Sequence, residues 1–250
     1  MTRHTRNLRM KKHLTGLMLT LAIAAVSVRG EQIAAGITEP VCDVILSPAV
    51  PGLVSAWNFK EGDFVKENDV IIELDNKLET LEVERRRLAM DNRKTDWEAL
   101  QTLFKNSSIS VKKEELDKAE TEYKVAAVEH QMALEQLRRR HIIAPCSGYV
   151  AAITHDVGEA CEEYQPLVRV VDTRQCYFVS NVEARAAGNL KLGQTVSLEI
   201  ETSSKPAIIT GQITFLSPVI DPASGLRRLK VLFDNSDEKI NPGVAGKMHF

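Results

Sequence analysis

Aromatic side chains are scarce in this sequence: Phe, Trp and Tyr together make up 5% of its 250 residues, against 44% hydrophobic residues of all kinds. That apolar content excludes a disordered chain, and with 26% charged residues it fits a modular protein built of small bodies rather than one large core. There is no basic excess either. A formal net charge of -2 and no clustered basic face leave no nucleic-acid footprint. The runs Arg85–Arg87 and Arg138–Arg140 are embedded in Glu-rich and Asp-rich helical sequence and read as solvated, salt-bridged faces. No G-x-S-x-G, H-E-x-x-H or Gly-rich phosphate loop occurs, and three of the six His (His4, His13, His249) sit near the chain ends. The four cysteines, Cys42, Cys146, Cys161 and Cys176, include no pair two to four residues apart, which excludes the usual zinc spacing. One or two disulfides, or four buried thiols, remain open from the spacing, with three possible pairings of four cysteines.

What is present begins with a targeting pattern. Basic residues cluster from Arg3 to His13, an apolar run covers Leu14–Val28, and Val28 and Gly30 are small residues suited to cleavage before Glu31. About 15 residues are short for a hydrocarbon span that needs about 20. A cleaved secretory signal over 1–30 is therefore expected rather than a retained anchor, which places the remainder outside the cytoplasm, where disulfides are permitted. No Cys follows the apolar run until Cys42, so lipid attachment there is not expected.

The centre of the sequence is an internal repeat. Pro48, Gly52-Leu53-Val54, Glu61-Gly62-Asp63 and the strand-like Val70–Leu74 ending in Asp75 recur as Pro145, Gly148-Tyr149-Val150, Val157-Gly158-Glu159 and Leu167–Val171 ending in Asp172. Each copy has too few apolar positions to bury a core alone, so the two must pack together. Between them, Asn76 to about Phe104 contains no Gly or Pro and carries Val83, Met90, Trp97 and Phe104 at seven-residue intervals, with Leu81, Leu88, Leu100 and Leu103 widening the stripe. After Lys105–Ile109 breaks the pattern, Ser110 can cap a second helix to about Arg140. Its seam is Leu116, Ala119, Tyr123, Ala126, His130, Ala133 and Leu137, a spacing averaging 3.5 residues. Two such helices joined by a short turn run antiparallel and make a rod about 42–45 Å long. His130 is read as a packing residue of that seam. From Cys176 onward the sequence alternates strands (176–182, 195–201, 208–216, 228–233) with Gly, Pro and Asn, the pattern of a small antiparallel barrel, and 183–190 suggests a short helix plugging one end.

Taken in this order, the sequence resembles the periplasmic adaptor, or membrane fusion protein, family of hemolysin-type secretion and RND efflux systems. The resemblance rests on Glu61-Gly62-Asp63-x-Val65, Ile143-Ala144-Pro145-x-x-Gly148-x-Val150, Val157-Gly158-Glu159, Gly211-Gln212-Ile213, Leu216–Asp221 and Asn241-Pro242-Gly243. It implies an α+β, mostly β fold: a split lipoyl-like (hammerhead) β-sandwich with an inserted antiparallel α-helical hairpin, plus a small antiparallel β-barrel. The expected parts are 31–47 (leading strands joining the barrel), 48–75 and 142–172 (the sandwich halves), 76–141 (hairpin) and 173–250 (barrel).

The same resemblance implies a bridge between an inner-membrane transporter, of RND or ABC type, and an outer-membrane channel. It further implies a homo-oligomeric ring (trimer or hexamer), a periplasmic location, no catalysis and no cofactor. The family's tip motif, R-x3-L-x6-S, is met by Leu103 and Ser110, with Ile109 beside them, but Ala99 stands at the Arg position and cannot supply its forked hydrogen bonds. The sequence stops at Phe250, where many members continue into a membrane-proximal domain, so a short class or a truncated chain is expected. The competing readings are a biotin- or lipoyl-type carrier, with Lys77 near the junction of the halves, and an exported structural scaffold.

Overall fold

Residue Gln32 begins the described part of the computed structural model, which covers residues 32–106, 112–202 and 205–250. The expected signal segment 1–30 and the tip residues Ile109 and Ser110 lie outside it. The leading segment, expected as one or two strands, is a single strand of 14 residues, β1 (Ile33–Leu46). The first half-repeat follows as β2 (Gly52–Trp57), β3 (Phe64–Val65) and β4 (Val70–Leu74). Helices α1 (Lys77–Asn106) and α2 (Lys113–Arg138) form the hairpin, and the chain re-enters through β5 (His141–Ile143), β6 (Gly148–Ile153) and β7 (Ala160–Cys161). Strand β8 (Val168–Glu183) then leads through the short helix α3 (Ala184–Ala187) to β9 (Thr195–Ile200), β10 (Ala207–Leu216), β11 (Leu226–Asp234) and β12 (Ala245–His249).

Two separate cores organise these elements. In the first, Val54, Val65, Ile71, Ile72, Leu74, Ile142, Val150, Leu167 and Val170 draw on both half-repeats, as expected of halves that cannot bury a core alone. The halves superpose in sequence at an offset of 96 residues, Gly62 (φ 90°) answering Gly158 (φ 94°). Their turns are exchanged: Gly62 N donates to Val150 O at 2.8 Å while Gly158 N donates to Val54 O at 2.8 Å, and Asn68 N reaches Ala144 O while Tyr164 N reaches Pro48 O. Each half therefore completes the backbone hydrogen bonding of the other.

The second core is a closed barrel. Antiparallel pairing runs β1–β12–β9–β10–β11–β8 and returns from β8 to β1, so no strand of the ring keeps an open edge. Phe178, Leu198, Ile200, Ile213, Leu229, Val231 and Met248 fill it, with Ala187 and Leu190 from the α3 region at the plugged end. Room for the Phe178 ring is made by Gly36 and Gly246: a Cβ at Gly36 would come within 2.6 Å of the ring, and one at Gly246 within 3.2 Å.

One expectation changes. Strand segments read as Leu167–Val171 and Cys176–Val182 are one continuous strand, β8. No Gly or Pro interrupts residues 172–175, and β1 pairs with β8 along both stretches. The ladder is irregular only between Pro40 and Cys42, where Thr173, Arg174 and Gln175 stand opposite the single residue Val41. The β1–β8 ribbon thus belongs to both cores.

Candidate functional site

The hairpin projects from the sandwich where α1 leaves β4 and α2 returns to β5. Its root is fixed by Arg140, whose guanidinium donates to Glu79 Oε1 at 2.6 and 2.9 Å and to Pro51 O at 2.9 Å. The ends of the insertion are tied further by Asn76 Nδ2 and His141 Nε2, 3.3 Å apart. At 1.5 Å per residue, α1 gives a rod about 45 Å long.

The seam follows the heptad positions read from sequence. Val83, Met90, Trp97 and Phe104 of α1 are half-buried, as are Leu116, Ala119, Tyr123, His130 and Leu137 of α2, while Ala126 and Ala133 are buried outright. Inside the rod, about two to three turns below the tip, Trp97 and Tyr123 stack at 5.4 Å with an interplanar angle of 7°, which adds large apolar area to the seam. The stripe is narrower than expected. Leu81, Leu88 and Leu103 are exposed rather than part of the seam, because Leu81 and Leu88 fall on the heptad position facing away from the partner helix and Leu103 on the flank of the seam.

In place of those leucines, charged residues complete the seam. Glu79, Arg86 and Arg93 take the alternate seam positions of α1 and pair across to Arg140, Glu129 and Glu122, the last at 3.0 Å. Sequence context groups Arg86 with Arg85 and Arg87 on a solvated, salt-bridged face. That holds for Arg85 and Arg87, which bind Glu82 and Glu84 of their own helix. It fails for Arg86, which also reaches Glu129 on α2. The signal was in the sequence: Glu79, Arg86 and Arg93 recur every seven residues, in step with Val83, Met90 and Trp97. The paired arginines Arg85 and Arg86 hold the Glu82 carboxyl down at about 2, and Arg138 does the same for Glu135, so the face stays ionised at any physiological pH.

At the tip, α1 ends at Asn106 and α2 starts after Lys112, which makes no side-chain cap. Ser110, expected as the cap, precedes that boundary and lies outside the described residues together with Ile109. Lys105 in the last turn of α1 and Glu114 and Glu115 in the first turn of α2 match the sign of each helix terminus. Leu103 stands one turn from the end of α1 and is 52% exposed, available to a partner. Ala99 is exposed on the same helix.

Lys77 is the first residue of α1 and exposed. A carrier lysine sits in a tight turn joining two strands, whereas here a 30-residue helix starts at that point. Among the described residues no cluster of His, Cys, Asp and Glu could hold a metal, and no helix is long and apolar enough to cross a membrane.

The cysteines settle into one bridge and two thiols. Cys42 of β1 is bonded to Cys146 in the turn before β6, across a sequence separation of 104, while Cys161 and Cys176 are free and buried. Spacing alone could not select this pair, since it depends on how β1 lies against the second half-repeat.

Comparison with known proteins agrees with this architecture. The chain is 25% identical over 228 residues to the multidrug resistance protein MdtA of Xenorhabdus bovienii, covering 83% of this chain and 55% of that protein. It is 24% identical over 212 residues to the solvent efflux pump periplasmic linker SrpA of Pseudomonas putida, covering 79% and 55%. The chain thus spans about half the length of these curated relatives. Among solved structures, a MacA–MexA chimeric protein containing the Pseudomonas aeruginosa MexA α-hairpin domain matches in fold with a TM-score of 0.74 at 17% identity, over 88% of this chain and 78% of that one. A family sequence profile described as RND MFP, barrel-sandwich hybrid domain, matches residues 43–173, which take in both halves of the sandwich and the whole rod between them. With more than half of its residues inside that match, the chain belongs to the RND membrane fusion protein family.

Proposed function

We propose that the protein is a periplasmic adaptor of an RND-type efflux system, linking an inner-membrane transporter to an outer-membrane channel without catalysis of its own. The observation that carries this reading is the mounting of the rod. Two half-repeats that complete each other's hydrogen bonds form a stiff base, and the hairpin leaves that base with a seam, a locked root and the exposed Leu103 near its tip. Such a part transmits position rather than chemistry. The names of the relatives, a multidrug resistance protein and an efflux pump periplasmic linker, support the same assignment, and the expected secretory signal would deliver it.

The rod's outer faces support the further proposal of a ring of copies. Leu78, Leu81 and Leu88 on α1 and Val125, Val128 and Met132 on α2 are all more than half exposed. They occupy outward heptad positions on opposite edges of the hairpin, and the Arg86–Glu129 pair sets them at similar height. One edge of a copy can therefore cover the other edge of the next, a head-to-tail contact that closes into a trimer or hexamer when the rotation permits. At the tip, Leu103, Ile109 and Ser110 are proposed to meet the channel through apolar and hydroxyl contacts, Ala99 leaving no forked charge there. Excising residues 100–113 while keeping the rest of the rod tests the assignment. Export of substrate from cells is expected to fall to the level of cells lacking the protein, and unimpaired export would overturn the tip's role.

A further inference from the structure

The covalent bridge lies at a particular place. Sandwich and barrel have separate cores, and among the described strands only β1 and β8 run through both. Their shared ladder loses register at one level, between Pro40 and Cys42 on β1 and opposite Thr173–Gln175 on β8. A two-stranded ribbon with a bulge is where two bodies joined by it would pivot, because the bulge removes ladder hydrogen bonds and bends the strand. Pro40 adds to the gap, having no N–H to donate. Cys42 is the first residue past the break, and its sulfur is bonded to Cys146 of the second half-repeat.

The other ties across this level are few and non-covalent. Tyr149 Oη donates to Glu238 Oε1 at 2.7 Å, Asn235 Nδ2 donates to Thr173 O at 2.8 Å, and the Arg174 guanidinium lies over the Phe64 ring at 5.0 Å while binding Asp172. A cleft of about 630 Å³ opens beside them, with walls from both bodies: Ile37, Pro40 and Pro242 on the barrel side, Tyr149, Ala151 and Val171 on the sandwich side. Whatever fixes the two bodies relative to each other fixes the width of this cleft.

We propose that the Cys42–Cys146 disulfide is a redox-sensitive lock on the angle between barrel and sandwich. With the bond formed, β1 is pinned to the turn before β6 and the register break cannot open. Reduction by a dithiol releases it. The dithiol's thiolate attacks one sulfur, the S–S bond breaks as a mixed disulfide forms, and the second dithiol sulfur displaces the remaining protein sulfur. Two protons and two electrons pass to the protein, leaving two cysteine thiols and an oxidised dithiol; a disulfide oxidant reverses the exchange.

Both bridged cysteines are only partly buried, which leaves them open to such a reagent. The chain's own spare thiols are not. Cys176 is paired opposite Pro40, two residues from the bridge. Its thiol is fully buried and pushed up to about 11 by that burial and by Asp172, so the attacking thiolate is absent at neutral pH. Cys161 is buried with its thiol directed to Gly52 O at 3.3 Å. The lock can thus cycle without scrambling to a third cysteine. Its consequence for the direction of the rod rests on the adaptor reading above; the lock itself does not.

Hydrogen exchange on the purified full chain, with and without a dithiol reductant, tests it. In the oxidised protein two free thiols are expected after denaturation, and four after reduction. Reduction should speed exchange at least about tenfold in the ladder flanking the break (37–39, 43–45 and 176–178) and in the loop 235–243, while β4 and β9 stay protected. The double variant Cys42→Ser with Cys146→Ser should exchange at the reduced rate and ignore the reductant. Four free thiols without reduction, unchanged exchange at the junction, or faster exchange throughout both cores would each overturn the proposal. None of these readouts uses transport, so their failure leaves the adaptor reading standing, and failure of the tip excision leaves the lock standing.

Discussion

The two halves of the sandwich make the same hydrogen bonds with different residues. In the first, Asp63 and Asp69 carboxylates accept from the backbone N–H of Lys60 and Lys66, both at 2.8 Å, and Asn68 holds the left-handed position at φ 73°. In the second, Glu159 and Gln165 accept from Asp156 and Glu162, both at 2.9 Å, and Tyr164 holds the corresponding position at φ 64°. Backbone geometry is therefore what the fold demands at these turns, and several side chains meet it. The halves part company where they end. Asp75 and Asn76 launch α1, with the Thr80 N–H and hydroxyl both donating to Asn76 O, while the second half continues through Asp172 into the barrel. One copy of the motif was extended by a rod and the other by a ribbon.

The largest test of this equivalence lies at the matching glycines Gly52 and Gly148. A Cβ at Gly148 would stand 2.5 Å from Val171 O and 2.8 Å from Val171 C, backbone that cannot step aside, whereas one at Gly52 meets first Arg140 Nη1 at 2.9 Å, a side-chain end that can shift by giving up its bond to Pro51 O while keeping those to Glu79. Gly148→Ala is expected to cost about 3 kcal/mol in urea unfolding and Gly52→Ala about 1 kcal/mol or less. Equal costs would mean that the halves are interchangeable even in their packing.

A smaller contrast concerns the left-handed turn residues. Tyr164 is 75% exposed and bulky at positive φ, a conformation that asparagine and glycine adopt with less strain. Tyr164→Gly is expected to raise stability by about 1 kcal/mol, read as a higher thermal midpoint, while Asn68→Gly should change it by only a few tenths.

The smallest effect separates the two exits by acid. Hydrogen bonding from Arg174 holds the Asp172 carboxyl below its ordinary value against the opposing effect of burial, whereas Asn76, which stands at its place at the 96-residue offset of the two halves, carries no charge. A carboxylate whose folded pKa lies below the unfolded one stabilises fully above the unfolded value of about 3.9 and loses that contribution as pH falls through the folded value. Asp172→Asn should therefore flatten the loss of stability below about pH 4 and leave its slope between pH 5 and 7 unchanged.

Much of the fold was legible because its signals are periodic. The repeated Gly-acid turns located the sandwich halves, and the seven-residue spacing of Val83, Met90, Trp97 and Phe104 located the rod. What escaped depends on contacts far apart in sequence. Strand β8 carries no mark at 172–175 that it serves two bodies, since neither Gly nor Pro interrupts it. The pairing of Cys42 with Cys146 requires the two backbones to approach to 6.9 Å, a consequence of the β1–β8 ladder rather than of spacing. For the tip, Leu103 was placed on an exposed helical turn, but its neighbours Ile109 and Ser110 fall outside the described residues, so the sequence remains the basis for them.

The charged rungs between α1 and α2 make the hairpin a keyed shaft. Sliding one helix by a single turn would set Arg86 and Arg93 opposite Ala126 and Ala119 and leave Glu79, Glu122 and Glu129 without their partners, so shifted heights are disfavoured. The distance from base to summit then behaves as a ruler, and any assembly built on it inherits a gap of fixed span.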